Sequence, residues 1–388
     1  MRITDIRELA VPLEGNIANA LVNFSEHTVS LVAVVTDVLR HGRPVVGVAF
    51  NSIGRFAQPG LLRERFIPRL LNAPPAQLLT ADGRAFDPAG ALAVMMRNEK
   101  PGGHGDRAAA VAALELALWD ANAKLHDEPA CHTIARHFGR VPLDGVPAYA
   151  AGGYYYPGQD NVRRLTDELA GYRDLGFGAF KIKIGGMPLA QDLERVQVAL
   201  EMAGGGAQLA VDANGRFDLP TALAYAEQLQ PLQLRWYEEA GDPLDYALNR
   251  QVIAGYGGRV ATGENLFSMA DVRNLLHFGG MRVGLDVFQM DAGLSYGLTE
   301  YAGMLSLMEA AGYDRLQAHP HGGHLINLHI VTGLGLGGCE AYPGVFQPFG
   351  GYPPGCVASD GLVRPTDAPG FGLEQKHELA PALRQLLA

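Results

Sequence analysis

The chain has 388 residues, 48% hydrophobic and 19% charged, which is enough apolar material for a large core and excludes a disordered tail. Its 31 basic and 41 acidic residues leave a net charge of −10 with no basic run, so nucleic acid and anionic membranes are excluded as partners and a small-molecule substrate is expected. Cys131, Cys339 and Cys356 make no CxxC pair, nothing at the start reads as a secretory leader, and no uncharged apolar run reaches the about 20 residues of a membrane span; a cytoplasmic protein is expected.

Residues 4–12, 29–37 and 45–50 are β-branched runs, and the turn residues at 40–44 join the last two into a hairpin. From 59 to about 125 the pattern becomes helical, with Val111, Leu114, Leu118 and Leu125 recurring at helical steps until Asp127 to Pro129 stops them. Strands first and helices after predict an α+β unit over residues 1–143. Beyond Val146, short apolar strands alternate with amphipathic helices such as 189–202 and 219–229. Strands are expected at 146–151, 179–184, 208–213, 234–238, 260–263, 287–291, 316–320 and near 338–342. Repeated βα units of this kind point to an α/β protein with a TIM-like (β/α) barrel over 144–345. A turn-rich segment, 346–388, follows.

The spacing of ionisable residues carries the chemistry. Lys183, Asp212, Glu238, Glu264, Asp291 and His321 each fall at the end of a successive predicted strand, with gaps, by subtraction, of 29, 26, 26, 27 and 30 residues. One βα unit of a barrel is about 31 residues, so six units deliver one such residue each to the rim where barrels build active sites. Any one of these acids is more simply a helix cap. Three carboxylates in register, Asp212, Glu238 and Glu264, repel one another unless a cation lies between them, and Mg²⁺ suits an all-oxygen ligand set.

Lys181 and Lys183 share one side of the strand Phe180-Lys181-Ile182-Lys183-Ile184. Facing inward, they lose pKa to burial and to each other, as a lysine base requires. The pattern leaves open the opposite facing, with both lysines snorkelling outward. His319, His321 and His324 form the densest histidine cluster, and zinc is its obvious rival use. No HExxH occurs, and acid-base work by His321, oriented by Asp291, is the stronger reading. Gly333, Gly335 and Gly338 match GxGxxG but do not follow a strand, so no dinucleotide site is expected.

Together, the Ala-Leu-Trp-Asp of 117–120, the KxK strand, the Asp/Glu/Glu series and the Asp-His pair resemble the enolase superfamily, mandelate racemase subgroup, over essentially the whole chain. The stretches NEKPGGHG (98–105), YAAGGYYYPG (149–158), VDANGRF (211–217) and PHGGH (320–324) are similar to dehydratases of that superfamily acting on a 2,3-dihydroxy acid. The resemblance implies an N-terminal α+β capping domain, a modified barrel, a C-terminal segment packing back on the cap, and a homo-oligomer. It implies that Lys183 and His321 stand on opposite faces of the substrate, with Lys181 and Glu340 beside them. Lys100, Asn51, Tyr156 and Asn214 are the implied substrate contacts. D-tartrate, losing water to oxaloacetate, is the implied substrate; another acid sugar, racemisation of a 2-hydroxy acid, or a non-catalytic diacid-binding barrel are the alternatives. Ile53 and Cys339 depart from the pattern, each standing where a polar residue is expected.

Overall fold

The β-branched N-terminal runs form an antiparallel sheet in the order β1 (Ile3–Pro12), β2 (Thr28–Arg40), β3 (Arg43–Phe50). The computed structural model describes every residue except 357, 358 and 360. The stretch from Val29 to Val34 in the central strand is buried on both faces. One face is covered by a long helix, Asp106–His126, whose alanines let it approach very closely: a Cβ at Gly47 would stand 2.0 Å from the Ala117 carbonyl. The helical pattern expected from 59 to 125 is in fact broken. Prolines 74 and 75 stop a short helical stretch, and glycines 102, 103 and 105, all at positive φ, separate α1 (Pro88–Met95) from that long helix, α2. The helix α3 (Ala130–His137) completes the cap.

The barrel strands are β4 (Val146–Gly152), β5 (Phe180–Lys183), β6 (Leu209–Asp212), β7 (Trp236–Glu238), β8 (Val260–Thr262), β9 (Val287–Phe288) and β10 (Cys339–Ala341). They pair in parallel in the order β10-β4-β5-β6-β7-β8-β9. Helices α4 (Asn161–Asp174), α5 (Leu189–Ala203), α6 (Leu219–Leu229), α7 (Tyr246–Tyr256), α8 (Met269–Phe278) and α9 (Leu298–Ala310) return the chain between them.

The strand expected at 316–320 does not form. Asp314 and Gln317 instead make a reciprocal capping box around a 3₁₀ turn at Arg315–Gln317, leaving one bridge, Phe288 to Ala318. The ring still closes there, through His319 N to Phe288 O (2.9 Å), His321 N to Gln289 O (3.1 Å) and Gly337 N to Ala318 O (3.1 Å). Helix α10 (Leu325–Leu334) leads from this segment to β10. No helix follows β10 directly. A short strand, β11 (Leu362–Val363), pairs antiparallel with β4, and α11 (Ala380–Leu387) lies against β1. Phe371 N donates to Asp120 of α2 at 2.6 Å, tying the C-terminal segment to the cap. Among the described residues no helix is long and apolar enough to cross a membrane.

Candidate active site

Strand register assembles the site. Lys183 lies opposite Asp212, and Asp212 opposite Glu238, so three strand ends present one row of charged side chains. Lys181 and Lys183 are buried, which settles their facing: both enter the barrel. Lys181 Nζ sits 2.6 Å from Glu238 Oε1, 2.7 Å from Glu340 Oε1 and 3.7 Å from Asp212 Oδ2. Lys183 Nζ donates to Asp212 Oδ2 and lies 5.1 Å from the centre of the Tyr154 ring. Behind the strand, Arg195 Nη1 holds the Lys183 carbonyl at 2.7 Å.

Asp212, Glu238 and Glu264 each offer a carboxylate oxygen within 4.8 Å of the other two. Burial pushes the Asp212 carboxyl up, but Lys183 and Lys181 overcome this and hold it at about 2. Glu238 is driven the other way, to about 8, by burial and by the neighbouring Asp212 charge. Trp236 Nε1 and Gln289 Nε2 donate to Glu238 Oε2 at 2.7 and 2.8 Å, fixing its orientation. Glu264 Oε2 is buried with no hydrogen-bond partner among the described residues. Crowded carboxylates, one of them with an oxygen left over, and hard oxygen donors throughout fit a divalent cation such as Mg²⁺.

His321 stands on the segment between β9 and β10, where its backbone N–H bonds to Gln289 O. Its Nδ1 lies 3.1 Å from Asp291 Oδ2, and its Nε2 lies 3.1 Å from the Tyr342 hydroxyl and 3.8 Å from Glu264 Oε2. Burial pulls the imidazole down, yet Glu264, Asp291 and Glu340 outweigh it and raise it to about 9. Asp291 is itself held by Gly293 N (2.8 Å) and Asn327 Nδ2 (3.2 Å). His319 and His324 do not converge on His321: His319 packs edge-on to Trp236, and the His324 ring meets Ser52 Oγ at 2.9 Å. Among the described residues these histidines build no metal cluster.

Lys183, Glu264 and His321 line a cleft of about 250 Å³ between barrel and cap, to which the cap contributes Asn19, Leu21, Ile53 and Arg55. Asn214 lines it as expected, at φ +49°, with its Nδ2 3.2 Å from Asp212 Oδ2. Four expectations need correction. The carboxylates work against the lowered lysine pKa values expected beside a cation: burial depresses both amines, but Glu238 and Glu340 around Lys181, and Asp212 beside Lys183, outweigh it and by themselves hold both above the usual lysine range. Tyr156 does not reach the cleft, because its hydroxyl lies 3.2 Å from buried Glu168 and Arg164 stacks on its ring; Tyr154 is the tyrosine at the site. Asn51 is a buried backbone clamp that accepts from Ser30 N at 2.7 Å and donates to the carbonyls of Ser52 and Arg55. Lys100 is exposed and does not line the cleft.

The cation the cap brings is Arg55, aimed by Asn265 Oδ1 at 3.0 Å and by the Phe267 ring at 4.9 Å. Sequence reasoning missed Arg55, Tyr154, Glu239, Asn265 and Tyr342. Tyr342 alone carried a signal, because it stands two residues past Glu340 within the strand expected near 338–342 and so on the same side of it.

The family described as "Enolase C-terminal domain-like" matches residues 164–379. The 3,6-anhydro-alpha-L-galactonate cycloisomerase of Streptomyces coelicolor is 28% identical over 70% of this chain and 70% of its own length. The L-talarate/galactarate dehydratase of Salmonella typhimurium is 28% identical over 58% of this chain, a match that spans only about half, 54%, of that relative's length. In fold, the L-talarate dehydratase of Polaromonas sp. JS666, complexed with Mg and L-glucarate, superposes with a TM-score of 0.74 at 22% identity, over 98% of this chain and 96% of the other. With the family match covering over half of the residues, on a barrel that places lysines and carboxylates at successive strand ends, the chain belongs to the enolase superfamily.

Proposed function

We propose that this chain is a magnesium-dependent hydro-lyase that removes water from a small 2,3-dihydroxy acid, with D-tartrate to oxaloacetate as the first candidate reaction. The observation that carries the reading is a lysine, Lys183, and a histidine paired with a carboxylate, His321 with Asp291, in one cleft beside a three-carboxylate cluster. The relative named as a dehydratase of talarate and galactarate supports the reaction class. A divalent cation held by Asp212, Glu238 and Glu264 would offset the carboxylate charge around the lysines and polarise a substrate carboxylate.

Lys183, in its neutral form, takes the proton from the carbon next to that carboxylate. Lys181, between Glu238 and Glu340, adds positive charge beside the enediolate that results. On the other side, the His321 side of the cleft supplies the proton that lets the β-hydroxyl depart as water, with Asp291 holding the ring and stabilising its charge. The enol left behind tautomerises to the 2-oxo acid. Arg55 and Asn214, at the cleft wall, orient the remaining oxygens of the acid.

The test is a panel of diastereomeric acid sugars incubated with the protein and Mg²⁺, read as 2-oxo acid. D-tartrate is expected among the fastest. Optical rotation that changes without 2-oxo acid would replace dehydration by racemisation, and ligand-induced thermal stabilisation with no product would leave a binding protein.

A further inference from the structure

The proton that His321 can give away is already aimed at a second side chain. With Asp291 on Nδ1, only Nε2 can serve the substrate, and in the protonated ring that the dehydratase reading requires Nε2 carries a single N–H. Its nearest acceptor is the hydroxyl of Tyr342 at 3.1 Å; Glu264 Oε2, at 3.8 Å, is beyond hydrogen-bond range. Tyr342 itself lines the cleft, and His321 Nε2 is its hydroxyl's hydrogen-bond partner among the described residues. The ring is not free to swing aside. It is buried, packs edge-on against Phe346 at 4.9 Å, and its backbone N–H is held by Gly323 O at 3.2 Å. Phe346 in turn packs against Phe24 of the cap at 4.9 Å. A tyrosine used only to fill space would not need its hydroxyl on the one ring nitrogen of His321 that Asp291 leaves free.

We propose that Tyr342 is a catalytic residue that relays the His321 proton to the departing hydroxyl of the substrate. This rests on the dehydratase reading. A hydroxyl can accept and donate at once, so the transfer balances. As the carbon–oxygen bond breaks, the Tyr342 O–H proton goes to the leaving oxygen and forms water. The His321 Nε2 proton replaces it on the tyrosine, and the imidazole is left neutral. The electron pair of the broken bond leaves with the oxygen, while that of the enediolate forms the new carbon–carbon double bond. Tyr342 is unchanged at the end of each turnover.

Tyr342→Phe removes the relay and keeps the ring. With the substrate found in the acid-sugar panel, 2-oxo acid formation should fall by about 10²-fold or more, the usual worth of a positioned general acid. Exchange of the α-proton with deuterated solvent, the work of Lys183, should stay within a few-fold of wild type. A chloro analogue, carrying chloride in place of the β-hydroxyl, needs no proton to leave and should be eliminated by Tyr342→Phe nearly as fast as by wild type. Unimpaired dehydration in Tyr342→Phe overturns the relay, because His321 then protonates the leaving group directly. Loss of exchange and of chloride elimination together with dehydration overturns it as well, since that pattern belongs to a collapsed site. Failure of the dehydratase reading looks different: the wild-type protein itself then forms no 2-oxo acid from any acid in the panel.

Discussion

Two buried histidines, two residues apart in the segment that closes the ring, are shifted in opposite directions. His321, at the rim, is raised to about 9, whereas His319, one layer down, is lowered to about 3. Both lose charge stability to burial. The rim offsets that loss with Glu264, Asp291 and Glu340, while at the floor the nearest charges are Arg235 and Arg259, and Trp236 supplies an aromatic wall. Carboxylates at the carboxyl ends of strands and arginines just before their amino ends thus shift buried histidines of one barrel in opposite directions. A buried residue type therefore has no fixed role here; its layer decides.

The largest effects should come from the two groups facing each other across the rim. Lys183→Ala is expected to abolish both dehydration and α-proton exchange, while His321→Asn should cut dehydration by about 10²- to 10⁴-fold and leave exchange by Lys183 in place. Proton NMR of both variants with tartrate in deuterated water distinguishes them, and exchange persisting in Lys183→Ala would rule out Lys183 as the sole base. Next comes the cation. Exhaustive chelation, or Glu238→Gln, should lower turnover by about 10³-fold through the several kcal/mol that Lewis-acid stabilisation supplies; full activity without divalent metal would remove the cluster from the mechanism.

Smaller effects belong to the cap. Arg55→Met should raise KM for diacids about tenfold with less effect on monoacids, the worth of one charge-assisted contact. Lys100→Met should change neither by more than about twofold, because its side chain lies outside the cleft lining. Kinetics on matched diacid and monoacid substrates reads both. A larger loss from Lys100 than from Arg55 would reverse the assignment.

The smallest effect sharpens the floor. His319 is neutral when folded and binds a proton when unfolded below the ordinary histidine pKa of 6.5, so its contribution to stability is present above 6.5 and is lost as pH falls toward about 3. His329, buried and lowered to about 3, behaves alike. Each should withdraw about 2 kcal/mol between pH 7 and pH 5. His319→Leu removes one share, so urea unfolding should show a weaker acid dependence than in wild type, with turnover at pH 7 little changed. An unchanged slope would mean that His319 is not held neutral.

Periodicity and spacing were enough to locate the rim residues, because a parallel barrel repeats at a nearly constant interval and each repeat ends in the same place. That is why Lys183, Asp212, Glu238, Glu264, Asp291 and His321 were legible from gaps alone, without any contact being known. The strand expected at 316–320 was over-read, since a local capping box at Asp314 and Gln317 competed with the ladder and prevailed while the ring closed around it.

What the linear chain determined by itself was the element order and the chemistry delivered to each strand end, both written in short-range pattern. What only the tertiary structure decided was which neighbour each group meets. Tyr154 rather than its neighbour Tyr156 faces the cleft, Arg55 rather than Lys100 crosses from the cap, and the lysines meet carboxylates that raise their pKa values where burial alone would lower them. Those outcomes depend on contacts between residues distant in sequence. Coulomb energies in a buried site change by several kcal/mol over a few ångströms, a precision that no spacing along the chain encodes.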